Sequence, residues 1–178
     1  MKKSFVLATC LLCSAFANAA SVDFNPTPKI VNLGDSFSID LEGHSFVDVL
    51  DGGGLNLDFN PAVIHVTGVT INPLWEFLPS PGTIDNVGGH VSHIQFNTFA
   101  SNPKGDFPIV SIQFSAIAMG SSPLTLHEDL DNPFGSGGLP VSVTLNPGMV
   151  QAVPEISEAW MMFVGLGIFG FARKMRWV

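Results

Sequence analysis

His90 and His93 stand three residues apart behind Gly88-Gly89. On a helix that spacing puts two imidazoles on one face, where they can share a zinc ion; in a strand, period two sends them to opposite faces. The two glycines announce a loop entering a strand. With His44, His65 and His127 scattered, separate histidines are expected rather than a zinc site. Carboxylates cluster twice: Asp48 and Asp51 beside Gly52-Gly53-Gly54, and Glu128, Asp129 and Asp131 beside Asn132. Calcium uses hard oxygens of this kind, but neither cluster fits the twelve-residue loop, since counting from Asp129 places Pro133 at position five and Pro140 at position twelve. Solvated turn carboxylates are the favoured reading. Loop calcium is the one ion kept open, and no other cofactor is expected. Gly165-Leu166-Gly167-Ile168-Phe169-Gly170 has dinucleotide-loop spacing, but no strand precedes it and its setting is apolar, so a phosphate has no place there. Trp75, between Leu74 and Phe77 and ahead of Pro79-Ser80-Pro81-Gly82, is the candidate glycan contact, because an exposed aromatic ring can carry a sugar face. That role applies if the module binds glycan; packing of Trp75 into the core or as a loop anchor is the favoured reading. No residue is assigned a catalytic role.

The elements that would hold these groups repeat every two residues. Phe37, Ile39 and Leu41 alternate with Ser36, Ser38, Asp40 and Glu42; Leu55, Leu57 and Phe59 alternate with Asn56 and Asp58. The pattern recurs at Ile94 and Phe96, at Val110, Ile112 and Phe114, and at Val141, Val143 and Leu145. Val63 to Ile71 and Leu124 to Leu126 are less regular strands. Asn25-Pro26, Asn32-Leu33-Gly34-Asp35, Gly52-Gly53-Gly54, Asn60-Pro61, Pro79-Ser80-Pro81-Gly82, Asn102-Pro103-Lys104-Gly105 and Gly135-Ser136-Gly137-Gly138 read as breakers. Half-buried strands with turns every ten to fifteen residues predict an all-β sandwich without a long helix.

The two ends read as routing signals. Lys2 and Lys3 precede an apolar run from Phe5 to Phe16, and Ala17-Asn18-Ala19 offers small residues for signal peptidase, so 1-19 is expected to be a signal peptide with Ala20 as the mature start. Cys10 and Cys13 both fall within it, which leaves the exported domain without a thiol. The uncharged run Ala159 to Ala172, as a helix, is about 21 Å long against a hydrocarbon core of about 30 Å. It is a marginal transmembrane helix, with Trp160 and Trp177 at the interfaces and Arg173, Lys174 and Arg176 as the cytoplasmic membrane stop. Between the ends, 20-150 is one domain, 151-158 a spacer, and 159-178 the helix with its basic tail. From Asp23 to Asp131 there are thirteen acidic residues against Lys29 and Lys104, a formal charge near −11. Such a charge argues against nucleic acid and against anionic lipid or anionic polysaccharide as a direct electrostatic partner, unless divalent cations intervene.

Val31 to Leu41, Leu55-Asn56-Leu57-Asp58-Phe59-Asn60-Pro61-Ala62-Val63-Ile64, Ile109 to Ala116 and Leu139 to Leu145 are similar, in that order, to the cohesin-like family of bacterial extracellular modules. The resemblance covers about residues 21 to 150 and implies a nine-strand jelly-roll sandwich related to carbohydrate-binding modules, with binding rather than catalysis as its work. Gly34-Asp35-Ser36 is similar to the nucleophile block of GDS-type lipases, but the Gly-x-Asn-Asp and Asp-x-x-His blocks of those enzymes are missing, so a hydrolase is the remote reading. The C-terminal stretch resembles the PEP-CTERM sorting tail: Val153-Pro154-Glu155, then Trp160-Met161-Met162 and the Gly-rich run, then Arg173-Lys174-Met175-Arg176. Ile156 stands where that motif usually has a second proline. The resemblance implies a substrate of an exosortase-type membrane protease, held first in the inner membrane of a Gram-negative bacterium and then delivered to the cell surface or extracellular matrix. There a non-enzymatic structural or adhesive role in an exopolysaccharide biofilm is expected. The alternative is a module that binds a carbohydrate or a surface protein.

Overall fold

The structure, a computed structural model, describes residues 19–155. Most of the signal segment, including Ala17, and the C-terminal run with Arg173, Lys174 and Arg176 lie outside the described residues. Thirteen strands follow in chain order: β1 (Ser21–Asn25), β2 (Lys29–Asn32), β3 (Ser36–Phe46), β4 (Gly52–Asp58), β5 (Ile64–Ile71), β6 (Thr83–Asp85) and β7 (His90–Asn97). β8 (Gly105–Ala116), β9 (Gly120–Glu128), β10 (Gly135–Ser136), β11 (Leu139–Pro140), β12 (Thr144–Leu145) and β13 (Gly148–Val153) complete the set, with no helix among the described residues.

Two sheets face each other. One has the order β12-β1-β3-β8-β5; the other runs β11-β10-β4-β9-β13-β2, with β7 along the second edge of β4 and β6 on β7. The chain changes sheets between β1 and β2 through Asn25-Pro26-Thr27-Pro28, where two prolines remove the ladder N–H groups that would continue either sheet.

Alternation sets the layers. Ile39 and Leu41 of β3, Leu55 and Leu57 of β4, Ile112 and Phe114 of β8 and Leu124 and Leu126 of β9 point into the core, while Ser38, Asp40, Gln113, Thr125 and His127 are exposed. Full burial of one such aliphatic or aromatic side chain is worth about 1.5–3 kcal/mol, which fixes the register, because a one-residue slip would turn every one of them to water. One end of the core is a chain of aromatic rings: Phe46 on Phe107 at 4.8 Å, Phe107 on Trp75 at 5.5 Å, Trp75 on Phe96 at 4.9 Å and Phe96 on Phe134 at 5.7 Å.

Three readings change. Gly52-Gly53-Gly54 is not a breaker but the first half of β4. A Cβ on Gly53 would stand 2.9 Å from the Phe134 ring, and one on Gly54 2.8 Å from Asp129 Cβ, so these glycines let the 129–134 turn lie directly on the strand. Val141 and Val143 lie outside the strands, the ladder there being confined to β12, and the closing strand is β13. β13 pairs in parallel with β2, Val153 opposite Asn32, and so carries the ordered sheet three residues into the stretch read as spacer.

Candidate interaction face

The outer face of β7, β4 and β9 gathers most of the polar groups singled out in the sequence. Asn56 faces His127 across the β4-β9 ladder, and Asp58 faces Thr125 on one side and His90 on the other. His127 Nε2 lies 3.1 Å from Asp58 Oδ2, and the Asn56 carboxamide oxygen accepts the His93 backbone N–H at 2.9 Å. His90 Nε2 is 3.8 Å from Asp85 Oδ2 in the neighbouring β6. Three of the five histidines therefore share one open sheet face.

The expectation that His90 and His93 point to opposite faces fails because β7 carries a bulge. Leu55 pairs with Ile94 and Leu57 with Val91, so three steps on β7 oppose two on β4. His93 sits at the bulge with φ 57°, a left-handed conformation that costs a non-glycine residue energy. The extra residue lets Val91 and Ile94 both stay buried and leaves both imidazoles outside.

Asp129 completes the face from beyond the end of β9. Its side chain is 3% exposed, lies over Gly54, and reaches across β4 to β7, where Oδ2 accepts from Gln95 Nε2 at 3.0 Å and meets His93 Nδ1 at 3.1 Å. Oδ1 accepts the Asp131 N–H at 3.2 Å. Burial works against the charged form, but the Gln95 amide, the Asp131 N–H and His93 outweigh it and hold this carboxyl below the usual aspartate value. His93 Nδ1, Asp129 and the exposed Asp131 each bring a ligand atom within 4.8 Å of the others, the grouping among the described residues that could hold a divalent cation. It joins one member of the first histidine pair to two of the carboxylates read as a calcium cluster; Glu128 is used elsewhere, accepting the Phe134 N–H at 2.9 Å. Asp51, from the other cluster, accepts the Gly137 N–H at 2.6 Å.

The remaining site residues fall elsewhere. Trp75 is 1% exposed and is a core residue, not a surface for sugars. Its indole N–H donates to the Pro108 carbonyl at 3.0 Å, beside a β3-β8 register shift. Asp35 closes a turn by accepting the Asn32 N–H at 2.7 Å, and Ser36 opens β3 as a ladder residue opposite Ser115. Ala19 and Ala20 precede β1, and Pro154 and Glu155 stand exposed just past β13.

A chain of a type I cohesin–dockerin complex from Clostridium thermocellum superposes with a TM-score of 0.61 at 12% identity, covering 76% of this chain and 100% of its own. The domain has a cohesin-like fold. A non-cellulosomal cohesin from the hyperthermophilic archaeon Archaeoglobus fulgidus matches with a TM-score of 0.56 at 16% identity, over 82% of this chain and 98% of that one. The cohesin module of a family 33 glycoside hydrolase from Clostridium perfringens matches with a TM-score of 0.59 at 15% identity, over 77% and 98%. No protein-family model matches the sequence, and no curated protein matches it. The cohesin-like domain is thus shared as a fold. His93 and Asp129 each stand out in the sequence, but no local signal joins two residues 36 positions apart.

Proposed function

We propose that this chain is a non-enzymatic, exported protein-binding module whose partner docks on the β7-β4-β9 face. The observation that carries the reading is the cohesin-like fold, with neighbours described as a cohesin–dockerin complex, taken together with an open sheet face dense in imidazole, amide and carboxylate groups. Such a face offers directional hydrogen bonds and charge complementarity, which set specificity and association rate. An acidic domain favours a partner with a basic patch.

Delivery belongs to the same proposal. The signal segment, Val153-Pro154-Glu155 and the basic end support sorting by an exosortase-type protease to the cell surface or matrix of a Gram-negative bacterium, where binding would serve an adhesive or structural role. Pro154 and Glu155 are exposed beyond the last ladder residue, so a cut there spares β13. Intact-mass measurement of the surface-located protein tests the routing: a start at Ala20 and an end near residues 154–157 is expected, and a C-terminus still at Val178 would defeat it. For binding, a partner captured from the surface fraction and purified is titrated against the mature protein. Asn56→Arg should weaken that association by about tenfold, or about 1.4 kcal/mol; unchanged affinity would move the partner off this face.

A further inference from the structure

A second surface lies beyond the top of this sheet, where the Asp51, Thr98 and 132–138 segments meet. It is a groove of about 350 Å³ lined by Asp51, Phe77, Asn97, Phe99, Asn132 and Gly138, among others. Phe77 and Phe99 pack ring to ring at 4.2 Å with an interplanar angle of 48°, yet they remain 39% and 77% exposed. Neither is loosely held. The Phe77 N–H donates to the Asn97 carbonyl at 3.0 Å, and the Phe99 N–H donates to Glu76 Oε1 at 2.7 Å. Glu76 also accepts from the Ala100 N–H at 3.0 Å and the Thr98 hydroxyl at 2.6 Å, so one carboxylate clamps the loop that raises Phe99. Opposite the rings, Asn132 Nδ2 is joined to Asn97 Oδ1 at 3.2 Å, which fixes both carboxamides at the groove.

We infer that this groove is a binding site for a neutral carbohydrate. Two pre-positioned aromatic rings offer apolar surface to the C–H face of a sugar, and amide and carboxylate groups beside them can donate to and accept from hydroxyls. The size falls at the lower end for ligand sites, about 300–1,000 Å³, which suits a short stretch of glycan. Charge selects among glycans. Only Lys29 and Lys104 are cationic among the described residues, and neither lines the groove, so a sulfate, phosphate or uronate would meet Asp51 without a counter-charge. The glycan contact considered at Trp75 thereby passes to Phe77 and Phe99, since the indole is buried while both of these rings are exposed. This site is separate from the β7-β4-β9 face and goes beyond the protein-binding reading.

Affinity electrophoresis of the mature exported protein through gels holding neutral β-glucan, mannan or galactan, with alginate as the anionic control, tests the inference. Retardation by at least one neutral polymer and not by alginate is expected, with Phe99→Ala reducing apparent affinity about tenfold at unchanged melting temperature and Phe99→Trp retaining it. No retardation by any neutral polymer, equal retardation by alginate, or full retention in both Phe99→Ala and Phe77→Ala would overturn it. Asn56→Arg, which addresses the protein face, should leave retardation intact. Loss of partner binding in Phe99→Ala with no effect on any glycan would assign the groove to a protein instead and equally overturn the inference.

Discussion

Asp129 Oδ2 lies 3.1 Å from His93 Nδ1, across the backbone of β4, although the two residues are 36 positions apart. The contact exists because Gly54 has no side chain to block it and because the β7 bulge turns His93 outward. It ties the end of β9 to β7 and gives the candidate face its one buried charge.

Replacing Asp129 by Asn should therefore destabilise the domain. Gln95 and His93 would face an amide that cannot accept as the carboxylate does, a loss of about 1–3 kcal/mol. The pH dependence follows from a carboxyl held below its unfolded value of about 3.9: its contribution is complete above that value and is lost as pH falls through the lower, folded one. Urea denaturation should show a gap between wild type and Asp129→Asn at about pH 5 that closes at more acid pH. A gap unchanged into strong acid would contradict the assignment.

Glu76 offers a titration with a value attached. The Thr98 hydroxyl first, then the Phe99 N–H, its own N–H and the Ala100 N–H, hold its pKa down to about 2, against some opposition from desolvation. Carbon-detected NMR should find this carboxyl ionised throughout the range in which exposed glutamates titrate. The sign is that of a depressed acid, so its hold on the 98–101 loop persists above the unfolded value and is released only as pH falls through about 2. Glu76→Gln should raise amide exchange at Phe99 and Ala100 while leaving the β-sheet protections in place.

Gly54→Ala tests the route by which Asp129 crosses the sheet. An added Cβ would stand 2.8 Å from Asp129 Cβ and 3.1 Å from the Asn132 carbonyl, so the turn must lift. Overpacking of this kind costs about 1–3 kcal/mol, and the His93 ring resonances should shift with it. Ser38→Ala, on the exposed face of β3, should be nearly silent in the same thermal melt.

Trp75→Ala should cost about 3–5 kcal/mol, since the ring is fully enclosed by Phe96 and Phe107. Trp75→Phe keeps much of the apolar contact but strands the Pro108 carbonyl, and a smaller loss is expected. Neither change should alter glycan retardation at temperatures where the variant stays folded.

Strands with strict alternation were legible in the sequence. Ser36 to Leu41, Leu55 to Phe59 and Val110 to Phe114 all carry the inward and outward residues that their spacing implies. β13 was not, because inward Gly148 and Ala152 are small and outward Met149 is apolar, which leaves Gln151 as the one outward polar residue to read. Long-range geometry hid the face itself. A bulge is a mismatch between two strands and has no signature within His90 to Asn97, while Gly52, Gly53 and Gly54 of β4 are needed because Asn97, Phe134 and Asp129 arrive from elsewhere in the chain. The Trp75 loop shows the same effect, since the Pro108 carbonyl that receives the indole N–H lies 33 positions away.

The account stands or falls on where a partner touches. A photo-cross-linking amino acid placed at exposed position 127, on the outer face of β9, and separately at exposed position 113, on the outer face of the opposite sheet, can be activated on intact exporting cells. The account predicts a defined protein adduct, identified by mass spectrometry, from position 127 and none from position 113. An adduct formed only from position 113, or no protein adduct from either, would contradict a partner-binding face on β7, β4 and β9.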